Sequence, residues 1–238
     1  MCTVTLIPIA KNDFILTSNR DEMPHRKTIA PQFHQVNETR MLFPQDMVAG
    51  GTWIGVSDTN TMICLLNGGF KAHESASFYE KSRGVVVKDL LEAKNLEETI
   101  HSYNYTNIEP FTIVAASWQT DLLIFELVWD GRQKHVRTLQ NEMHIWSSST
   151  LYTNEMKSIR KKWFKNFQKR NDFSKAAILD FHKHAGVGDK EIDLLMDRGG
   201  VKTISITQIV KQKDELQMRY ENLQNQEVKR VTFEEVTV

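Results

Sequence analysis

The chain begins with Met1 and Cys2, and a cysteine at this position could act as a nucleophile that has its own base. Removal of Met1 would leave an α-amine and a thiol on one residue, and that amine could take the proton from the thiol. A cationic Arg20 nearby would favour the thiolate, while Asp21 or Glu22 could bind the ammonium group or orient the amine. Many chains begin Met-Cys, so the prediction depends on bringing positions 2 and 20 together.

The strand pattern of the N-terminal segment would bring them together. Residues 2–9 alternate in polarity, which predicts a strand. Residues 13–18 predict a second strand after a short turn, and the polar segment 19–27, which contains a proline, predicts a loop leaving it. This first hairpin would return Arg20 towards Cys2.

A second group of candidates lies around a later hairpin, whose second strand ends at Asn67 before two glycines. The glycines would permit a sharp turn and a close backbone approach, and Asn67 by itself is typical of a turn residue. We expect Trp53 to lie in the core or in a pocket wall, and Cys64 to be a buried free cysteine. Arg83, at the start of a predicted helix, could bind a substrate carboxylate or make only a capping or surface contact.

The remaining segments predict strands, two helices, strands, helices and strands, in that order. Residues 28–48 look irregular, and the two central helices begin near Ser82 and at Asn95, which with Glu98 makes a capping box. The other predicted elements are strands at 111–117, 122–129, 133–139 and 144–147, two or three helices at about 154–169, 174–185 and 189–196, and strands at 203–211, 215–222 and 228–236. Strands joined by hairpins imply mostly antiparallel sheets, and we expect an α+β fold with helices outside two stacked sheets.

Composition excludes several classes of function. The 238 residues include 30 Lys and Arg and 30 Asp and Glu, so the formal charge is zero and a nucleic-acid partner is not expected. Two cysteines do not make a disulfide framework, which favours a reducing compartment. With no signal-peptide pattern and no apolar stretch of transmembrane length, a cytoplasmic protein is expected, folded as one domain over residues 1–238.

The sequence predicts neither a metal nor a nucleotide cofactor. His182 and His184 are two residues apart on a predicted helix and would face different directions, so they could not chelate one ion. There is no Cys-X-X-Cys pair and no phosphate-binding glycine loop. The basic run Arg160-Lys161-Lys162 is interpreted as a solvated helix face.

Taken together in chain order, these motifs resemble the NRDE family, also called the transport and Golgi organisation 2 family. That family is similar to the cysteine-type N-terminal-nucleophile hydrolases, which include bile salt hydrolases and penicillin V acylase. The matching segments are Met1-Cys2-Thr3, Asn19-Arg20-Asp21-Glu22, Gly51-Thr52-Trp53-Ile54-Gly55, Leu66-Asn67 and Ser82-Arg83-Gly84, with weaker echoes at 146–151 and 202–205.

The resemblance implies a four-layer α-β-β-α sandwich and a set of roles. Cys2 would be the nucleophile with its α-amine as base, and Arg20 would lie by the thiol. Asp21 would bind the amine, and the side-chain N–H of Asn67 would stabilise the oxyanion.

The chain departs from the family pattern at three places. Ser148 stands in a segment where the family usually has an asparagine, so one amide donor would be lost or shortened. Where the hydrolases carry an arginine at the start of a late strand, Arg198 or Lys202 would have to substitute. Arg20 and Asp21 are adjacent and in an extended segment would point to opposite faces, so Glu22 could be the carboxylate that faces Cys2.

Two functions follow as expectations. The first is hydrolysis of a small, non-peptide amide through an acyl-Cys2 intermediate. The second is a non-catalytic binding or trafficking role for a hydrophobic cargo such as haem or a lipid-like molecule, since a fold does not fix a function.

Overall fold

The computed structural model describes residues 3–233, so the nucleophile predicted at Cys2 lies outside the described residues. The chain forms two compact units. The terminal unit comprises residues 3–26 and 142–233, and the central unit comprises residues 27–141. The prediction of a single domain stays a prediction.

Within residues 3–233 the elements follow the predicted order of strands, two helices, strands, helices and strands, with six, four and three strands in the three strand groups. The strands are β1 (Thr3–Pro8), β2 (Phe14–Glu22), β3 (Thr28–Val36), β4 (Thr39–Asp46), β5 (Ile54–Ser57), β6 (Thr61–Asn67), β7 (Phe111–Ser117), β8 (Leu123–Trp129), β9 (Lys134–Leu139), β10 (His144–Ser147), β11 (Lys202–Gln212), β12 (Glu215–Asn222) and β13 (Val228–Phe233). The helices are α1 (Arg83–Leu91), α2 (Leu96–Ser102), α3 (Asn154–Gln168) and α4 (Lys175–His184).

Each unit contains one antiparallel sheet, which confirms the predicted α+β class. The terminal sheet has the strand order β10-β1-β2-β11-β12-β13, and the central sheet runs β3 to β9 in sequence order. Helices α3 and α4 bury aromatic side chains such as Phe164 and Phe181 against Ile7, Ile15 and Val210 of the terminal sheet. Helices α1 and α2 cover one face of the central sheet in the same way.

The segment 19–22 is strand, not the start of a loop as predicted. Asp21 pairs with Thr203 and Arg20 with Ser205, so β11 extends β2 by four residues beyond the polar boundary. A register shift between Thr203 and Ser205 marks a bulge in β11 at this point. The error arose because a strand partner 182 residues away leaves no local signal.

Two other predicted segments were also wrong. Residues 28–48 are not irregular but form the hairpin β3–β4. Each strand contains a proline, which argues against a strand in the sequence. Pro31 is tolerated because β3 is an edge strand, and Pro44 lies beyond the two residues, Met41 and Leu42, that pair with β5. The segment 189–196 is a series of turns rather than a helix. There the carboxylate of Asp193 accepts hydrogen bonds from the backbone N–H groups of Val187 and Gly188, a local alternative to helix formation.

Gly51 and Gly84, two glycines of the segments that resemble the family, meet in the central unit. A Cβ atom on Gly84, in the first turn of α1, would lie 3.0 Å from the backbone N and O of Thr52. A Cβ atom on Gly51 would lie 2.9 Å from the backbone of Gly84. These glycines therefore let the helix start and the strand entry pack backbone to backbone.

We expect Gly84→Ala to lower the free energy of unfolding by about 1–3 kcal/mol, because the added methyl group meets backbone that cannot move aside. Gly200→Ala is the matched control, since a Cβ there meets nothing within 4 Å. It should be neutral or slightly stabilising, by roughly 0.4–1 kcal/mol. Urea unfolding of both variants measures the difference, and equal stabilities would contradict this packing.

Candidate functional site

The carboxylate of Asp21 is buried and held by two hydroxyl groups. Tyr152 donates to Oδ2 at 2.7 Å, and Thr203 donates to Oδ1 at 2.5 Å. Asp21 is 3% exposed. Two donors on opposite oxygens fix the plane of the carboxylate.

Arg20 and Glu22 share the opposite face of β2, as expected for residues two apart in a strand. Their side chains approach to 3.9 Å, and Arg26 adds a second cation 3.3 Å from Glu22. Arg20 is 3% exposed. Ser205 faces Arg20 across the ladder, and its buried hydroxyl has no hydrogen-bond partner within residues 3–233. Of the two acidic candidates, Glu22 is therefore the one on the Arg20 face.

Two guanidinium groups lie against the ring of Tyr152. Arg160 is 3.5 Å from the ring centroid and Arg198 is 5.2 Å from it. Arg198 also donates to the carbonyl of Leu151 at 2.9 Å and lies 3.1 Å from the carboxylate of Glu191. Arg198 therefore contacts the site through Tyr152.

The interpretation of residues 160–162 as a solvated face is wrong for Arg160. Lys161 and Lys162 are exposed, but Arg160 is 0% exposed. Its guanidinium donates to Thr3 Oγ1 at 2.7 Å and to the carbonyl of Asp193 at 2.6 Å.

Asn19, the first residue of the NRDE motif, organises a buried network rather than a substrate contact. Its Nδ2 donates to the carbonyls of His182 and Leu194 at 3.1 and 2.7 Å. Its Oδ1 must then accept from His182 Nδ1 at 2.8 Å, which leaves His182 Nε2 to accept from Thr5 at 2.7 Å. This assigns the neutral Nδ1–H tautomer to a fully buried imidazole.

Two further candidates lie at the edges of this region. Ser148 follows β10, is 1% exposed, and its hydroxyl lies 2.9 Å from that of Thr150. Lys202 pairs with Glu22 at the start of β11, which puts it on the Arg20 face. Lys202 is the first residue of β11, whereas Arg198 lies before the strand. Of the two candidates for the late-strand arginine, Lys202 therefore matches the predicted position better.

The central unit holds Asn67 at the end of β6. Gly68, not Asn67, has the left-handed backbone, with a φ of +84°. A Cβ on Gly69 would lie 3.0 Å from the carbonyl oxygen of Trp129. Both glycines are therefore explained by the fold, and Asn67 is the last residue of β6, where the positive φ of the turn falls on Gly68 instead.

The other predicted residues of the central unit are Trp53, Cys64 and Arg83. Trp53 is 4% exposed and Cys64 is 0% exposed, so both are buried as expected. Arg83 is the first residue of α1 and forms an ion pair with Glu109 at 2.9 Å. The charge of Arg83 is thus paired with a carboxylate of the protein itself. The binding of a substrate carboxylate by Arg83 stays a prediction.

Sequence reasoning missed Tyr152, Thr203 and Arg160, which are the partners of Asp21 and Thr3. Tyr152 lies one residue beyond the weak family echo at 146–151, and nothing near it in the chain points to Asp21. In residues 3–233, no three His, Cys, Asp or Glu side chains are arranged to hold a metal ion. No helix in the same range has both the length and the apolar character needed to cross a bilayer.

The fold matches solved N-terminal-nucleophile hydrolases. Penicillin V acylase from Agrobacterium tumefaciens has a TM-score of 0.61 at 11% identity, covering 97% of this chain and 86% of the acylase. Conjugated bile acid hydrolase from Clostridium perfringens has a TM-score of 0.55 at 10% identity, with coverages of 97% and 92%. The N-acylethanolamine-hydrolysing acid amidase orthologue of Caenorhabditis elegans has a TM-score of 0.57 at 13% identity, with coverages of 88% and 92%.

The chain therefore has an N-terminal-nucleophile hydrolase-like fold. Residues 1–233 match the family described as Transport and Golgi organisation 2, and the chain belongs to that family. Among curated proteins, none is similar enough in sequence to count as a match.

Proposed function

We propose that the protein is a cytoplasmic N-terminal-nucleophile amidohydrolase that cleaves a small, non-peptide amide through an acyl-Cys2 intermediate. The observation that carries the proposal is the pairing of Thr3 with Asn19, which makes Arg20 and Asp21 the next residues along the neighbouring strand. Both are 3% exposed, and as adjacent residues of β2 they lie on opposite faces of the strand. A nucleophile at position 2 would have a cation on one face and an oriented carboxylate on the other.

The proposed reaction begins when the α-amine of Cys2 takes the thiol proton. The thiolate adds to the amide carbon, and the negative charge on the carbonyl oxygen is stabilised by the Asn67 side-chain N–H. The C–N bond then breaks, and the leaving amine takes the proton from the ammonium group. Water, activated by the same amine, hydrolyses the thioester, releases the carboxylic acid and restores the thiol.

Arg20 has a separate role in this scheme, because a nearby guanidinium lowers the pKa of a thiol. We expect Arg20→Ala to raise the pKa of Cys2 towards the roughly 8.5 of a free cysteine and to slow its alkylation at pH 7 by about tenfold per pKa unit. Mass spectrometry of the two cysteine peptides measures the rate, with buried Cys64 as the internal reference.

Arg26→Ala is the matched control for this variant. Arg26 also pairs with Glu22, but its side chain is 29% exposed and it lies beyond the end of β2. Its removal should leave Cys2 labelling unchanged. Faster labelling of Cys64 than of Cys2, or equal rates in the wild type and Arg20→Ala, would refute the proposed site.

A second candidate is a non-catalytic carrier of haem or a lipid-like cargo. It is favoured by the ion pair of Arg83 with Glu109, because that pair engages a side chain that could otherwise bind a substrate carboxylate. The substitution Cys2→Ala separates the two functions. A carrier would bind its cargo normally without the thiol, whereas the hydrolase would lose all turnover.

A further inference from the structure

Arg160 connects the first described residue of the chain to the body of the terminal unit. Its guanidinium is fully buried and donates to Thr3 Oγ1 at 2.7 Å. Its Nε and Nη2 donate to the carbonyls of Ile192 and Asp193 at 2.9 and 2.6 Å. Within residues 3–233 no carboxylate forms an ion pair with it. Burying a cation among neutral groups costs desolvation free energy, so packing alone does not account for Arg160.

The same guanidinium acts on Asp21 through an aromatic ring. It lies 3.5 Å from the centroid of the Tyr152 ring, whose hydroxyl donates to Asp21 Oδ2 at 2.7 Å. A cation over the ring fixes the ring plane and strengthens the phenol as a hydrogen-bond donor. One buried charge therefore orients both the carboxylate of Asp21 and the side chain of Thr3, the residue that follows Cys2.

We infer that Thr3 and Tyr152 are positioning residues for the N-terminal nucleophile, held in place by Arg160. This inference rests on the proposed function, in which the α-amine of Cys2 must keep a fixed distance from both its thiol and Asp21. Thr3 anchors the peptide that carries the amine, and Tyr152 anchors the carboxylate that binds it. Neither side chain touches the substrate in this scheme.

Two substitutions remove these contacts with little change in shape, and each has a matched control. Thr3→Val removes the hydroxyl bound by Arg160, and Thr5→Val removes a buried hydroxyl two residues along the same strand face, where it bonds to His182 at 2.7 Å. Tyr152→Phe removes the donor to Asp21. Tyr105→Phe removes a buried hydroxyl of the central unit that donates to the carbonyl of Ile100 at 3.1 Å.

The readout is the pH profile of Cys2 alkylation, together with the melting temperature of each variant. Intact mass first establishes that Met1 is removed in all five proteins. We expect the labelling midpoint of Thr3→Val and Tyr152→Phe to move towards that of an ordinary cysteine by about one pH unit, which is roughly tenfold slower labelling at pH 7. Thr5→Val and Tyr105→Phe should lose comparable thermal stability and keep the wild-type midpoint.

Four unchanged midpoints, with a wild-type Cys2 that is clearly more acidic than an ordinary cysteine, would overturn the positioning role and leave the proposed function standing. A wild-type Cys2 with an ordinary midpoint would overturn both. Equal shifts in all four variants would mean that lost stability, not positioning, governs Cys2, and would also overturn the inference.

Discussion

Acidification from pH 7 to pH 4 is expected to destabilise the protein through His182, the one histidine that is buried among residues 3–233. Burial, followed by the nearby charge of Arg160, lowers the pKa of His182 from 6.5 to about 3. Between these two pH values His182 is therefore protonated in the unfolded chain and neutral in the folded chain. The associated stability is fully present above pH 6.5 and is lost as the pH falls towards 3, at about 1.4 kcal/mol per pH unit, or roughly 3 kcal/mol by pH 4.

Carboxylates also titrate in this range, so a control must isolate the histidine. His182→Gln removes the titrating group, while His184→Gln removes a histidine on the same helix whose side chain is 70% exposed. The free energy of unfolding, measured by urea at each pH and referred to pH 7.5 for the same variant, should become flatter only in His182→Gln. Parallel curves for the two variants would show that His182 is protonated in the folded protein.

Asn67→Ala is expected to fold normally and to lose about 10²–10³ in turnover on any amide substrate, equivalent to roughly 3–4 kcal/mol of transition-state stabilisation. An amide N–H aimed at the developing oxyanion acts mainly in the transition state, so ground-state binding should change little and slow acylation of Cys2 should persist. Folding should survive because Gly68, with its φ of +84°, makes the turn.

Asn95→Ala is the matched control for that variant. Asn95 caps α2 by accepting a hydrogen bond from the N–H of Glu98 at 3.2 Å, so its loss should reduce stability by about 1 kcal/mol with unchanged turnover per folded molecule. If Asn67→Ala behaves in the same way, Asn67 is a structural residue and the oxyanion assignment fails.

The sequence predicted features whose causes are local. The hairpin β1–β2, the helix starts at Ser82 and Asn95 and the buried Cys64 all follow from alternation, capping or apolar runs within a few residues. The α+β class follows from the order of such elements. The family resemblance supplied the fold, because no local rule specifies how sheets and helices are arranged.

The features that were missed depend on contacts between distant residues. Asp21 is 131 residues from Tyr152 and 182 from Thr203, and each hydroxyl is unremarkable where it stands in the chain. Arg160 sits in a basic run that is typical of a solvated helix, and its burial depends on the carbonyls of a segment 32 residues later. The extension of β2 to Glu22 likewise depends on β11.

The central claim is that Cys2, freed of Met1, is an activated nucleophile. The most direct test is intact mass spectrometry of the protein from its native host, before and after treatment with an electrophile that targets amide-hydrolysing cysteines. The proposed function predicts a mature chain that lacks Met1 and gains one adduct, located by peptide mapping at Cys2. A chain that retains Met1, or an adduct found at Cys64 instead, would contradict it.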